Sequence, residues 1–317
     1  MALVPFKMIP AFRYGAMTPW GGEGLRAWGK DIPDPRTGES LEVSALPGLE
    51  SRDEDGHTLS DLLTRHGAAL RGTRVGETFP LLLKAIHAQD LLSVQVHPDD
   101  AYAAAHEGGK LGKSEAWAIL SAEPGAQIVY GVREGVTKEA LAAACSKGGE
   151  AVQRCLNRVS VKPGEVYNIP AGMVHALGGG ITLLEIQQSS DVTYRFYDWD
   201  RRDAQGKSRE LHIAKGLDVT DVNMHFGACE GVTSAAPGGE IVTYIDGPAF
   251  TLQRWRVEDR MPLEPTPERF RLLFALGEGR IVWDGGALAL AKGDSVFLPA
   301  DMVRATLEGP LELLACW

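Results

Sequence analysis

The chain has 317 residues, 44% of them hydrophobic and 23% charged, and a formal net charge of −10. That is enough chain for a full core in one large domain or two smaller ones, and the composition is that of a globular protein. No basic patch fits nucleic acid, and no apolar run has the length of a transmembrane helix. The opening MALVPFKMIPAFRYGAM is broken by prolines and lacks the apolar region of a signal peptide. Cys145, Cys155, Cys229 and Cys316 have no CxxC spacing, so buried thiols in a reducing, cytoplasmic setting are expected.

The first helical signal is HTLSDLLTRHGAAL, which places Leu59, Leu62, Leu63, His66 and Leu70 on one face. Short β-rich runs punctuated by glycine and proline dominate elsewhere, the texture of a sandwich or barrel. In SVQVHPDD, Gln95 and His97 are two apart and share one face of a predicted strand. Glu115 opens the apolar run in GKSEAWAIL. TKEALAAACSK and GEAVQRCLNRV are predicted as a helical pair, with Thr137 as the N-cap of the first.

An internal repeat follows. PGEVYNIPAGMVHAL (163–177) aligns without gaps on KGDSVFLPADMVRAT (292–306), with Gly164 on Gly293, Pro170 on Pro299 and Met173-Val174 on Met302-Val303. Glycine, an acidic residue, a short apolar run and Pro-Ala spell turn, strand, turn, strand. The pattern resembles the second sequence motif of cupins, small jelly rolls of two facing sheets. The expected fold is mainly β: two cupin-type jelly-roll lobes, residues 1–235 and 236–317, with a short helical insertion. The copies differ in chemistry. His175 of the first is Arg304 in the second, and Glu185, ten residues on, aligns with Leu314. Ligand-type side chains gather in one lobe only, so the second is expected to hold no metal.

Gln95, His97, Glu115 and His175 form the candidate ligand set. Imidazole, carboxylate and amide oxygen suit a borderline, redox-silent divalent ion, with zinc the default. Arg195, in EIQQSSDVTYRFYDWDR, has two readings that the sequence leaves open. It either packs on Tyr194 or Phe196 and pairs with Asp198 or Asp200, or it is a fixed guanidinium that stabilises a developing oxyanion.

Taken together, KAIHAQDLLSVQVHPDD, GKSEAW, IPAGMVHALGGG and SSDVTYRFYDW resemble type I mannose-6-phosphate isomerase in its short bacterial form. WGGEGL and GESLEVSALP fit the same family, and the resemblance is clearest over residues 5–225. It implies that Gln95, His97, Glu115 and His175 bind one Zn²⁺ per chain, that Arg195 is the active-site arginine, and that Lys84 and Lys113 line the pocket. It further implies interconversion of mannose 6-phosphate and fructose 6-phosphate through an enediol, in a monomer or small homo-oligomer. Leu41 stands where the family usually has Trp, and the helical part is reduced to a short insertion.

The proton-transfer base stays open among Lys84, His97 and Glu185, with Lys84 needing a depressed pKa to serve. For the substrate's phosphate the candidates are Lys113, Lys110, Arg201 and Arg202. Three alternatives stand beside this reading: an O₂-activating cupin, an isomerase of another aldose, and a non-catalytic sugar-binding cupin. No dinucleotide or P-loop glycine pattern is present.

Overall fold

The computed structural model describes residues 3–203 and 205–317. Four antiparallel sheets form two sandwiches. The first sandwich faces a six-stranded sheet (11–14, 37–43, 81–88, 181–188, 115–122, 166–169 in spatial order) against a five-stranded one (194–197, 94–96, 175–176, 127–132, 156–160). The second faces a seven-stranded sheet against a four-stranded one. The two-lobe jelly-roll expectation holds. The lobe division at 235/236 does not follow the sheets at the N-terminus. Phe6–Met8 pairs with Ser295–Leu298 and so belongs to the second lobe's large sheet, whose far edge is Val232–Ala236.

The six- and seven-stranded sheets lie back to back. Leu81, Leu83, Ala85, Ala116, Ala118, Leu184 and Ile186 of one meet Leu252, Leu272, Phe274, Phe297 and Leu314 of the other in a shared core. This explains why Leu81–Ala88 is buried at every position, Lys84 and His87 included. Both faces are covered, so the polar-out alternation is missing. The opposite faces turn inward: Ile86, Trp117, Ile119, Ile181 and Leu183 fill the first lobe, and Leu273, Val296, Leu313 and Ala315 the second. A buried polar network crosses the seam. Lys30 Nζ donates to Glu42 Oε2 (2.6 Å) and to the Gly293 carbonyl (2.5 Å), and Ser295 Oγ donates to the same carboxylate (2.6 Å).

The repeat is real in three dimensions. Gly164 and Gly293 take φ of +90° and +88°, values that favour glycine. In each turn the acidic residue after the glycine accepts from the amide three residues back, Glu165 from Lys162 and Asp294 from Ala291, both at 2.8 Å. Beyond the motif the gapless alignment slips by one face. Glu185 points into the first lobe, but Leu314 packs in the shared core, and it is Leu313 that points into the second. The loops before these strands differ, and a one-residue slip flips every side chain.

Helices occupy the flanks. Leu59–His66 starts at Thr58 in a capping box with Asp61 and buries Leu59 and Leu62 at the seam. Lys138–Lys147 starts at Thr137, whose side chain accepts from Ala140 N, as expected. Its partner is shorter than predicted: Gly149–Cys155 is helical, and Leu156–Ser160 is instead an edge strand paired with Gln127–Val132. These helices and Ile213–Val219 cover the outer face of the five-stranded sheet, against Val94, Val96, Val174, Tyr194 and Phe196. Among the described residues no helix is long and apolar enough to cross a membrane. The four cysteines are free.

Candidate active site

Alternation on the strands explains the site. Val94 and Val96 turn outward to the helices, so Gln95 on that strand and His97, one residue past its end, turn inward. Tyr194 and Phe196 likewise turn outward, and Arg195 lines the cavity. The abrupt Pro-Asp-Asp after His97 has a local cause that the sequence reading missed. Asp99 is the N-cap of a helix, Asp100–His106, and accepts from Tyr102 N at 2.8 Å.

His97, Glu115 and His175 are fully buried and converge. Glu115 Oε2 is 3.5 Å from His97 Nε2, and Oε1 is 3.3 Å from His175 Nε2. Each histidine spends its other nitrogen on a carbonyl: Nδ1 of His97 on Val192 O (2.8 Å) and Nδ1 of His175 on Met173 O (2.9 Å). That fixes the tautomers and leaves both Nε2 lone pairs facing the carboxylate. Burial holds both imidazoles below their ordinary pKa, His175 at about 4, so both are neutral at pH 7. Gln95 stands beside them, its amide nitrogen 3.2 Å from His175 Nε2.

Two observations suit the cluster to a cation. Glu115 Oε1 is buried with no hydrogen-bond partner. The buried Lys113 ammonium sits against Glu115 Oε2 and 3.1 Å from His97 Nε2, where the donors converge. Two neutral imidazoles, a carboxylate and an amide fit a divalent ion of borderline hardness.

The cluster opens on a cavity of about 290 Å³. Its wall carries Arg13, Glu39, Lys84, Lys113, Trp117, Glu185, Arg195 and Arg209. Lys84 Nζ donates to Glu185 Oε1 at 3.0 Å and lies 3.8 Å from Glu39; Trp117 Nε1 donates to the other Glu185 oxygen at 3.0 Å. Burial opposes both charges of the Lys84–Glu185 pair, but mutual attraction wins: the Lys84 pKa is raised by Glu185 and Glu39, and that of Glu185 is lowered by Lys84 and Lys113. Lys84 is therefore an ammonium, and the depressed pKa that a lysine base requires is not present. Glu115, next to Glu185 and buried, moves the other way and is raised.

Arg195 pairs with neither Asp198 nor Asp200 among the described residues. Asp198 is taken by Arg201 (2.8 Å) and Arg209 (2.7 Å), and Asp200 by Tyr197 (2.9 Å). The Arg195 Nε is buried without a partner. Burial, then Arg209, lowers its pKa from the usual value. On its far side Arg195 lines a second cleft with Arg36, Arg201, Arg202, Lys207 and Arg209. Lys110 is not in the cavity wall; it pairs with Asp191 at 2.7 Å on the surface.

Sequence reasoning missed Arg13, Glu39, Trp117 and Arg209. Trp117 was within reach, because it lies two residues past Glu115 on the same strand and must share its face. Arg209 gave no signal: a loop brings it in through Asp198.

The cavity is polar, rich in cations and built beside a His₂Glu cluster, and the chain around it matches known proteins over nearly its full length. Residues 18–120 match the catalytic domain of type I phosphomannose isomerase, and residues 240–316 the cupin domain of mannose-6-phosphate isomerase. A mannose-6-phosphate isomerase of Streptococcus mutans is 39% identical over 301 residues, 93% of each chain. The chain belongs to the type I phosphomannose isomerase family. A mannose-6-phosphate isomerase of Bacillus subtilis is 38% identical over 325 residues, 99% of each chain. The crystal structure of the mannose 6-phosphate isomerase from Bacillus subtilis superposes with a TM-score of 0.91 at 34% identity, covering 99% of this chain and 100% of that one. A zinc-bound mannose 6-phosphate isomerase shares the fold, at TM-score 0.80 and 18% identity over 99% of both chains.

Proposed function

We propose that this chain interconverts mannose 6-phosphate and fructose 6-phosphate, with one divalent ion, zinc by the donor chemistry, held by His97, Glu115, His175 and Gln95. The observation that carries the reading is the buried, tautomer-fixed His₂Glu cluster opening on a cavity where, among the described residues, the Arg195 guanidinium has no acid partner. When bound, such an ion would supply Lewis acidity to the reacting sugar.

The chain's own residues then divide the work. The reaction moves a proton between C2 and C1 of the sugar. Among the three candidate bases, Lys84 is protonated and the His97 lone pair is committed to the cluster. Glu185 is ionised and lines the cavity, so it is the base in this reading. Lys84, hydrogen-bonded to Glu185, is the adjacent proton donor to a sugar oxygen. Arg195 stabilises the negative charge that develops on the enediolate, where a fixed donor in a closed site counts most. Lys113 lines the cavity beside the cluster and contacts the substrate. The phosphate is taken by the adjoining basic cleft. One guanidinium Nε that lines it, that of Arg201, is buried without a hydrogen-bond partner and suits a dianion. Arg202 lines this same cleft, whereas the surface pairing of Lys110 removes it from the candidates.

The test is a coupled assay of purified, metal-analysed protein with mannose 6-phosphate. Turnover should be abolished by chelation and restored by Zn²⁺. Fully metallated protein that does not isomerise this sugar would sink the proposal and favour another aldose.

A further inference from the structure

A ladder of alternating charge crosses the cavity floor. Five neighbouring strands contribute one side chain each, in spatial order Arg13, Glu39, Lys84, Glu185 and Trp117. The successive contacts are 3.1, 3.8, 3.0 and 3.0 Å. The Arg13 side chain is 27% exposed, Glu39 11%, Lys84 7% and Glu185 6%, so the ladder runs from the cavity mouth inward. Lys84 has a full ion-pair partner in Glu185 alone. A second carboxylate on its other side, backed by an arginine that faces the mouth, is more than charge balance requires. Burying another acid costs free energy unless it is paired, and Arg13 pairs it.

We propose that Glu39, backed by Arg13, is a positioning residue for the isomerisation: it tethers the Lys84 ammonium from the side opposite Glu185 and fixes it on the cavity floor. This rests on the function proposed above. A lysine head on a four-carbon stem has three rotatable donors and no preferred plane, so one partner leaves it free to swing and two do not. Displacing a reacting group by about 1 Å can cost on the order of 10²-fold in rate. The charged groups facing Lys84 are Arg13 and Glu39 from the N-terminal strands, Glu185 from Ile181–Gln188, Glu115 with Lys113, His97, and Arg195 across the cavity. Of these, Glu185 and then Glu39 sustain the lysine's charge against its burial, and Arg13 opposes it.

The experiment is a double-mutant cycle on metal-loaded protein with E39Q, R13M and the double variant, E39D serving as the conservative control. E39Q should lower kcat about 10- to 100-fold with KM within about twofold. R13M should lower it less, and the double variant should be no worse than E39Q, because Arg13 acts through Glu39. E39D should recover part of the loss. Additive losses, or a raised KM with unchanged kcat, would overturn the proposal and make the pair a direct substrate contact. In parallel, the ¹⁵Nζ resonance of Lys84, assigned with K84R, should deprotonate at lower pH in E39Q than in wild type. That readout needs no activity. If the wild-type protein fails on mannose 6-phosphate, the functional reading falls, and an unmoved Lys84 titration in E39Q would still overturn the tether.

Discussion

The two lobes share a turn, a strand and a Pro-Ala step almost residue for residue, yet one encloses a polar cavity and the other an apolar core. In the first, inward positions of the sheets carry Gln95, His97, Glu115, Lys84, Glu185 and Arg195 among apolar neighbours. In the second they carry Leu273, Val296, Leu313, Ala315 and Trp255. The backbone frame is therefore indifferent to chemistry, and a few inward side chains decide it. The first lobe bears the cost of burying charge. The second lobe, packed back to back against it, supplies the apolar face that keeps the site's strands in place.

The largest effect should come from the first lobe's donors. His175→Ala removes a fixed imidazole, and kcat/KM should fall by about 10³-fold or more, together with bound metal. An alanine variant with full metal content and wild-type turnover would remove the basis for the contrast.

Arg195→Ala comes next. Its charge matters chiefly in the transition state, so kcat should drop about 10²- to 10³-fold, with a much smaller rise in KM. An unchanged kcat with a raised KM would make Arg195 a phosphate clamp instead.

Lys84→Met tests the cost of the polar interior. It leaves Glu185 buried without its cation, and stability should fall by about 3–5 kcal/mol in chemical denaturation. The pH dependence has a definite sign. Glu185 is held below its ordinary carboxylate value, to about 2, so its contribution is present above about pH 4.3 and is lost as pH falls toward 2. The Lys84 pKa is raised, so its contribution is complete below about pH 10.4 and is lost above that. The penalty in Lys84→Met should therefore be largest near neutral pH and shrink in acid. A penalty that does not change down to pH 2 would mean that Glu185 is not the group left stranded.

In the second lobe, Leu313→Ala should cost about 2–5 kcal/mol of stability while the folded protein keeps its kcat. A loss of kcat at full stability would show that the second lobe takes part in the chemistry.

The smallest effect is expected at Arg304, which occupies the position of His175 in the repeat. Its side chain is 82% exposed and pairs with Glu264 at 2.9 Å, so Arg304→Ala should shift stability by about 0.5 kcal/mol or less. Arg304→His should acquire no ion, because the lobe behind it offers apolar side chains and no converging donors. Uptake of a second equivalent of metal by Arg304→His would show the second lobe to be closer to a site than its packing implies.

How much could be read beforehand follows from where each signal lies. The Gln95–His97 pair, the repeat and the contrast between His175 and Arg304 are local patterns, and strand alternation turns them into geometry. So is the helix start at Thr137, whose cap lies within four residues. The strand Leu156–Ser160 was misread as helix because its length and apolar content fit either state, and only its pairing with Gln127–Val132 chose. Leu314 was aligned with Glu185 because a gapless register cannot sense that one loop differs, and a single residue reverses the face.

The sequence by itself determined the two-lobed β architecture and the gathering of imidazole, carboxylate and amide side chains in the first lobe, because each rests on residue type and short-range periodicity. Tertiary structure alone decided which charges meet. Arg13, Glu39, Lys84 and Glu185 are distant in the chain and adjacent only because four strands lie side by side. Asp198 chose Arg201 and Arg209 over Arg195, whose guanidinium faces the cavity with no acid partner among the described residues. Protonation followed from the same meeting of strands. Lys84 is charged because two carboxylates from different strands outweigh its burial. Electrostatic energy depends on distance and on solvent exclusion, and neither is written along a chain.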